Sequence, residues 1–533
     1  MMRRLRRFVV VAGVALLLVG TGCFHAFWQV QAARVDRPAQ GAADVFVSTP
    51  VKAHLADGAI VVFRNGATIS RTAVFGSGER FTVRLASAGA TANVVIPFDS
   101  IVGLETFEGK MLAAQSVVVS AAATAAAAVG TAALMVAIFG SCPTLYADTG
   151  SAAPLEAEGF SYAIAPLLEQ RDLDPLRVKP GPDGVIRLEL RNEALETHYI
   201  NQLELVAVTH RDGARAVPDQ SGRPVVVDDL RAVSGAVDRS GRDVRPQLSA
   251  ADGQYYETPA AVVRAAREGN LEDWIELSAD DLPPGDSVAV VLRLRNSLLN
   301  TVLLYEGVLG GHDAPEWMQT GLQHISTAID LSKWYMRTMG MRAYVDGVAR
   351  SAWGEAWDAR LGDVGPLAFR DVAMVLPRPA RDARRVRVRL RFVADNWRID
   401  RAEIAGKISR PRTTTLPVAS IVAPVSATVS EEDTAAVAAV READGRYLET
   451  LPGQRMTLRF RAPRDAGDGM RTTYLVSWQG WYNEWIRGQW LANPTRTEAW
   501  VPGDRAVLTA LDRWQQRKSD FEAAFYSTRI PVR

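Results

Sequence analysis

Two cysteines in 533 residues exclude a disulfide framework. Six scattered histidines give no spaced set of metal ligands. The chain contains no HExxH, GxSxG, CxxC or P-loop, and no GxGxxG between a strand and a helix. No cofactor is expected on this basis, and no enzymatic activity is indicated. A glycosidase carboxylate pair remains open, because its two acids come from distant strands and leave no local signature. A net charge of +1 gives no electrostatic reason to expect nucleic acid as a partner. Charge is also absent locally, since no charged residue stands between Lys110 and Asp148.

What is present begins with a basic run, Arg3-Arg4-Leu5-Arg6-Arg7. An apolar stretch from Phe8 to Val19 follows, and then Gly20-Thr21-Gly22-Cys23. That order is the layout of a bacterial secretory signal. It resembles a lipoprotein signal, although Gly20 stands where that family prefers Leu. The resemblance implies that Cys23 becomes the first residue and is lipidated, which would tie the chain to a membrane. An ordinary cleaved signal and an uncleaved anchor helix are the alternatives. Residues 1–23 are therefore read as signal and 24–44 as linker.

Residues 45–110 carry short apolar runs separated by turn residues. Ile60–Phe63 and Ala67–Ala73 flank Asn65-Gly66, a hairpin signal, and Gly76-Ser77-Gly78 reads as a second turn. Together they suggest a small barrel of Sm-like or SH3-like type. Met111 to Phe139 is long enough to span a bilayer. The charges that follow it, Asp148, Glu156 and Glu158, are acidic and give no positive-inside support for a simple span. A membrane-embedded helix and a helix sheltered by protein both remain open for 111–140.

Ser141-Cys142-Pro143-Thr144-Leu145-Tyr146 leads into Glu156-Ala157-Glu158-Gly159-Phe160, then Asn192-Glu193 and Glu196-Thr197. This string resembles a family of secreted and lipoprotein bacterial proteins that carry Ser-Cys-Pro-x-x-Tyr after an apolar segment. Phe160-Ser161-Tyr162 departs from that family's usual Tyr-Gly-Gly. The resemblance implies export and carries no activity with it. Cys142 reads as a buried small hydrophobe or a reactive thiol, and His198 as a structural histidine or a ligand.

The rest alternates with period two and reads as three modules: 141–312 as β, 313–410 as a helix plus a β-sandwich, and 411–490 as β. A helix and tail follow over 491–533. Ser234 to Gly253 reads as a surface loop and 411–435 as a linker or edge strand. From Asp313 to Gly340 the period is helical. Its stripe of Met318, Leu322, Ile325, Ile329, Met336 and Met339 reads as core or as a partner-binding groove. The overall fold class is thus mainly β: a small barrel, an apolar helix, then β-sandwich-like modules with a few helices. The segment 444–482 also resembles a C-terminal segment recurring in large secreted bacterial proteins, which implies no catalytic role.

Two surfaces are candidates for ligands. Arg385, Arg387, Arg389 and Arg391 alternate with Val386, Val388, Leu390 and Phe392, so one sheet face is arginine-lined. That face is either solvated or contacts an anionic partner, a lipid headgroup or acidic glycan, with Arg387 and Arg389 at its centre. Trp478, Trp481, Tyr482, Trp485 and Trp490 cluster in sequence and either pack a sheet or form a sugar platform. The function these features suggest is a bacterial cell-envelope lipoprotein with a structural or protein-binding role, periplasmic or outer-membrane associated. Its membrane contacts would be Cys23 and the 111–139 segment. The alternatives are a carbohydrate-binding or carbohydrate-active envelope protein and an accessory component of a membrane export complex.

Overall fold

The computed structural model describes residues 43–47, 51–55, 59–63, 65–82, 87–106, 142–147, 153–194, 196–309, 317–318, 322, 324–348, 358–424, 430–464, 467–485, 502–527, 529 and 532. Cys23, the 111–139 segment and Trp490 lie outside these residues. The protein is mainly β, with several antiparallel sheets and few helices. It divides into two compact units, one containing the described residues up to Thr106 and the other those from Cys142 onward.

The first unit is a seven-stranded antiparallel sheet. Ile101–Thr106 lies beside Val51–Leu55, then come Ile60–Phe63, Ala73–Phe81 and Ser87–Pro97. The last strand of this meander thus returns beside its first. Val51, Ala53, Val61, Phe63, Val74, Ile96 and Leu104 form the core.

Asn65-Gly66 does not make a hairpin. Ile60–Phe63 and Ala67–Ile69 follow one another along the same partner, Ala73–Phe81, with Val62 opposite Glu79 and Thr68 opposite Phe75. Gly66, at φ 87°, lets the chain bend between them. The expected turn at Gly76-Ser77-Gly78 is likewise continuous strand. Glycine is required there for packing: a Cβ on Gly78 would stand 3.0 Å from the Phe63 ring and the Val61 side chain. Missing side chains make room for an aromatic ring crossing the strand, and period-based reading takes such glycines for turns.

Among the described residues the second unit contains four antiparallel sheets. One runs Arg215–Pro218, Pro224–Ala232, Trp397–Ser409, Ser287–Asn296, Arg370–Pro377. A second runs Gly235–Asp238, Glu272–Ala279, Val386–Val393, Met341–Val345, Ala359–Leu361. These two share a core that includes Val290, Leu292, Leu294, Leu390, Phe392, Trp397 and Ile404. Ala289 and Val291, on the other face of Ser287–Asn296, enter a second cluster with Val217, Val227 and Ala405. That strand is buried on both faces, which accounts for its nearly unbroken apolar run.

The other two sheets join distant parts of the chain. Glu196–Arg211 pairs with Met470–Glu484 from Glu196↔Glu484 to Arg211↔Met470. Val185–Arg191 pairs with Arg455–Arg461. The boundaries expected at 312 and 410 are therefore corrected, because strands from 141–312 and 411–490 share sheets. Residues 411–435 are not a linker either: Thr413–Pro417, Ser420–Pro424 and Ser430–Glu432 are all paired strands. Inside the expected loop at 234–253 lie the strand Gly235–Asp238 and the helical turn Arg245–Leu248.

Of the expected 313–340 helix, Ile325–Thr338 is described as one element. Its buried residues are Ala328, Leu331, Trp334 and Tyr335, whereas Ile325, Ile329 and Met336 are exposed. The other three members of the expected stripe, Met318, Leu322 and Met339, are buried, and within the helix Trp334 and Tyr335 join Leu331 in facing the protein. The helical segment Asp504–Ser527, kinked at Arg517, buries Val507, Leu511, Trp514, Phe521 and Phe525. Among the described residues no helix is long and apolar enough to cross a membrane.

Candidate functional site

The arginine strand Val386–Val393 is central in its sheet, between Glu272–Ala279 and Met341–Val345. Its apolar residues enter the core and its arginines face outward, as alternation requires. The outer face is organised in cross-strand rows. Tyr344, Arg389 and Glu276 form one row. Arg360, Arg342, Arg391 and Trp274 form the next.

Most of these charges are matched locally. Arg389 pairs with Glu276 at 2.9 Å and lies 4.4 Å above the Trp274 ring. Arg387 pairs with Asp346 and, at 3.5 Å, with Glu276. Arg391 pairs with Glu272. Arg387 and Arg389 are thus exposed members of a charge-paired lattice rather than bare cations. Exposed pairs of this kind hold a surface together weakly and are screened by salt.

At one end of this face a groove of about 420 Å³ opens. Its walls include Asn270, Glu272, Arg337, Arg342, Tyr344, Arg391 and Asp504. Arg342 donates to the carbonyl of Arg337 at 2.8 Å. Among the described residues, no carboxylate forms an ion pair with Arg337 or Arg342.

The aromatic cluster is placed otherwise. Trp478 and Trp481 are fully buried, and Tyr482 and Trp485 nearly so. Trp481 stacks on Tyr199 with ring centroids 4.2 Å apart. Trp485 donates to Thr197 Oγ1 at 2.9 Å, and Tyr482 to the Ser161 carbonyl at 3.0 Å. The expectation of a sugar platform at these four residues is corrected. Trp478, Trp481 and Tyr482 lie on the central strand Met470–Glu484 and Trp485 directly follows it, and all four pack the interior.

Below them lies a set of buried ionisable groups that the sequence did not mark as a site. Trp478 Nε1 donates to Asp174 at 3.1 Å, and the Phe160 N–H donates to Asp172 at 2.6 Å. Arg370 pairs with Asp174 and, at 3.5 Å, with Asp172. Glu158 accepts from the backbone N–H groups of Leu367 at 2.7 Å and Ala368 at 3.3 Å. Burial pushes Glu158 up to about 7, against those two hydrogen bonds. Burial also raises Asp174, with Arg370 opposing it. Asp363 accepts from Asn300 at 2.7 Å and Asn296 at 3.0 Å, and burial lifts it to about 7. The void beside Glu158, Asp174 and Arg370 is about 10 Å³, room for one water at most. Shifted carboxyls often mark active sites, but here they are sealed beneath packed strands.

Cys142, Thr144 and Tyr146 of the Ser-Cys-Pro-x-x-Tyr string are buried. Tyr146 donates to Glu193 at 2.7 Å, and Thr144 Oγ1 to the same carboxylate at 3.1 Å. Cys142 is buried, and burial followed by the Glu158 charge pushes its thiol well up, which leaves it protonated and unreactive. His198 Nε2 lies 2.8 Å from Glu196 and Nδ1 3.0 Å from Thr450 Oγ1. Burial lowers His198 to about 3, so it is neutral. No group of His, Cys, Asp and Glu among the described residues is arranged to hold a metal ion.

Comparison with known proteins gives no family. No family model matches the chain, and no curated protein matches it. Among solved structures, a GH31 alpha-xylosidase from Xanthomonas citri aligns at 10% identity and a TM-score of 0.13, over 81% of this chain and 38% of that one. The structure of infectious bursal disease virus, Gx strain, aligns at 8% identity and a TM-score of 0.12, over 90% and 86%. The chain spans well under half the length of the xylosidase. Likenesses this low carry no argument about fold or activity.

Proposed function

We propose that this chain is a bacterial cell-envelope lipoprotein with a binding role, anchored through Cys23 and carrying its second unit outside the cytoplasm. The basic, apolar and small residues that run into Cys23 support the anchor. One contrast supports binding over catalysis. Glu158 and Asp174, whose pKa values burial raises, border a void of about 10 Å³, while a charged groove of about 420 Å³ lies open on a sheet face. A catalytic acid needs access to substrate, whereas a recognition surface needs exposed, oriented donors.

The deciding experiment is protease accessibility of a tag placed after Arg533, in intact cells and in spheroplasts, for wild type and Cys23→Ala. Digestion without lysis of the inner membrane places the second unit outside the cytoplasm. Radiolabelled palmitate on wild type but not on the variant establishes lipidation. A tag protected until the inner membrane is lysed would sink the proposal.

A further inference from the structure

We infer that the groove between Arg337, Arg342 and Asp504 binds an acidic sugar, one carboxylate-bearing residue of a glycan. The inference deepens the binding reading above by naming a ligand class, and rests on that reading only for the ligand's location.

The starting observation is an arrangement that costs stability as it stands. Arg360 is opposite Arg342, and Arg342 is opposite Arg391, so three like charges share one cross-strand row. Like charges directly opposite on a sheet face repel. Arg360 has Asp358 at 3.1 Å and Arg391 has Glu272. The middle arginine has neither, and spends one N–H on the Arg337 carbonyl. Arg337 stands in the last turn of Ile325–Thr338 and is exposed. Two guanidinium groups therefore border one concavity with donors to spare. A planar carboxylate is the group that such forks hold bidentately.

The remaining wall distinguishes between anions. Asp504 and Asn270 also line the groove, and both are exposed. A carboxylate in the wall repels a bare multivalent anion but accepts hydrogen bonds from hydroxyls. With Arg391 matched by Glu272, the unmatched charge among the described residues is two arginines against one aspartate, a surplus of one positive charge. That suits a ligand with one negative charge per unit and hydroxyls around it, which is the chemistry of a uronate. It does not suit a phosphate dianion. The half-buried Tyr344 offers ring surface beside Arg391, whose guanidinium lies 5.6 Å from its centroid. The groove volume of about 420 Å³ falls in the range of small-ligand pockets.

The test is calorimetric titration of the full chain, purified in detergent, with digalacturonate, galactobiose and inorganic phosphate. Digalacturonate should bind at least about tenfold more tightly than galactobiose, and added salt should weaken it. Arg337→Ala with Arg342→Ala should weaken digalacturonate binding by about tenfold or more. Arg337→Ala alone changes an exposed side chain and provides a folded control, checked by its melting temperature. No digalacturonate binding, equal binding of galactobiose, or binding indifferent to both substitutions would overturn the inference. Phosphate competing at concentrations equal to digalacturonate would also overturn it, by showing a site that selects charge alone. A cytoplasmic second unit that still binds digalacturonate would sink the envelope reading and leave the groove standing.

Discussion

The indole N–H of Trp478 meets the carboxylate of Asp174 at 3.1 Å, joining residues 304 positions apart. Asp174 also carries the Arg370 guanidinium, so three distant segments meet at one buried carboxylate. Removing Asp174 leaves the buried Arg370 guanidinium with only its longer pair to Asp172. Asp174→Asn should therefore destabilise the second unit by about 3–5 kcal/mol. Trp478→Phe, which removes only the N–H and some volume, should cost about 1–3 kcal/mol. Urea unfolding followed by tryptophan fluorescence measures both. A cost below about 0.5 kcal/mol for Asp174→Asn would show that the centre is not a structural clamp.

A pH dependence follows from Glu158. Its carboxyl titrates near 7 in the folded protein, against an ordinary value of 4.5. The folded state therefore holds this proton over a range where the unfolded chain has lost it. The associated stability is complete below about pH 4 and is lost as pH rises through 7. Asp363, also near 7, acts in the same direction. His198 acts oppositely: lowered to about 3, it contributes stability above its ordinary 6.5 that is lost as pH falls. Glu158→Gln isolates one contribution. Relative to wild type, the variant should gain on the order of 3 kcal/mol between pH 4 and pH 8. A difference that stays constant across that range would refute the assignment.

Two turns share one sequence and one set of bonds. In Asp219-Gln220-Ser221-Gly222-Arg223, Asp219 Oδ1 accepts from Ser221 N–H, Ser221 Oγ and Arg223 N–H. In Asp238-Arg239-Ser240-Gly241-Arg242, Asp238 Oδ1 accepts the same three. Gly222 at φ 72° and Gly241 at φ 81° close them. Asp238→Ala removes all of these acceptors and should cost about 1–3 kcal/mol, because the freed N–H groups lose their partner. Gly241→Ala should cost about 1 kcal/mol from backbone conformation alone. Hydrogen exchange at Ser240 and Arg242 should rise in the first variant, and unchanged protection there would contradict the account.

How much of this was legible in the sequence depended on the kind of pattern. Period two located Val386–Val393, because alternation is dictated by the strand itself. Pairing between Glu196–Arg211 and Met470–Glu484 left no local trace, so the module boundaries drawn between them were misplaced. The tryptophans were read as surface or core candidates alike, since composition does not say which faces of a strand are covered. Asp172 and Asp174 did carry a signal, two acids two residues apart with Leu173, Pro175 and Leu176 around them. Their shared face and its burial became visible only with Arg370 and Trp478 beside them. The repeated Asp-x-Ser-Gly-Arg was plain in the sequence and would have predicted both turns.

The first unit shows an apolar row that its core does not use. Phe46 is opposite Thr68, Thr68 opposite Phe75, and Phe75 opposite Val95. Phe46 is 64% exposed and Val95 65%, with Phe75 at 36%. Neither Phe46 nor Val95 belongs to the core formed by Val51, Phe63 and Leu104. Burial is what makes an aromatic stabilising, so replacing these two should leave the fold intact. Phe46→Ser with Val95→Ser should change unfolding stability by no more than about 0.5 kcal/mol. The same variant should bind less of a hydrophobic dye, because it removes the exposed ends of a continuous strip. A loss of several kcal/mol would instead mean that the row is covered in the folded chain.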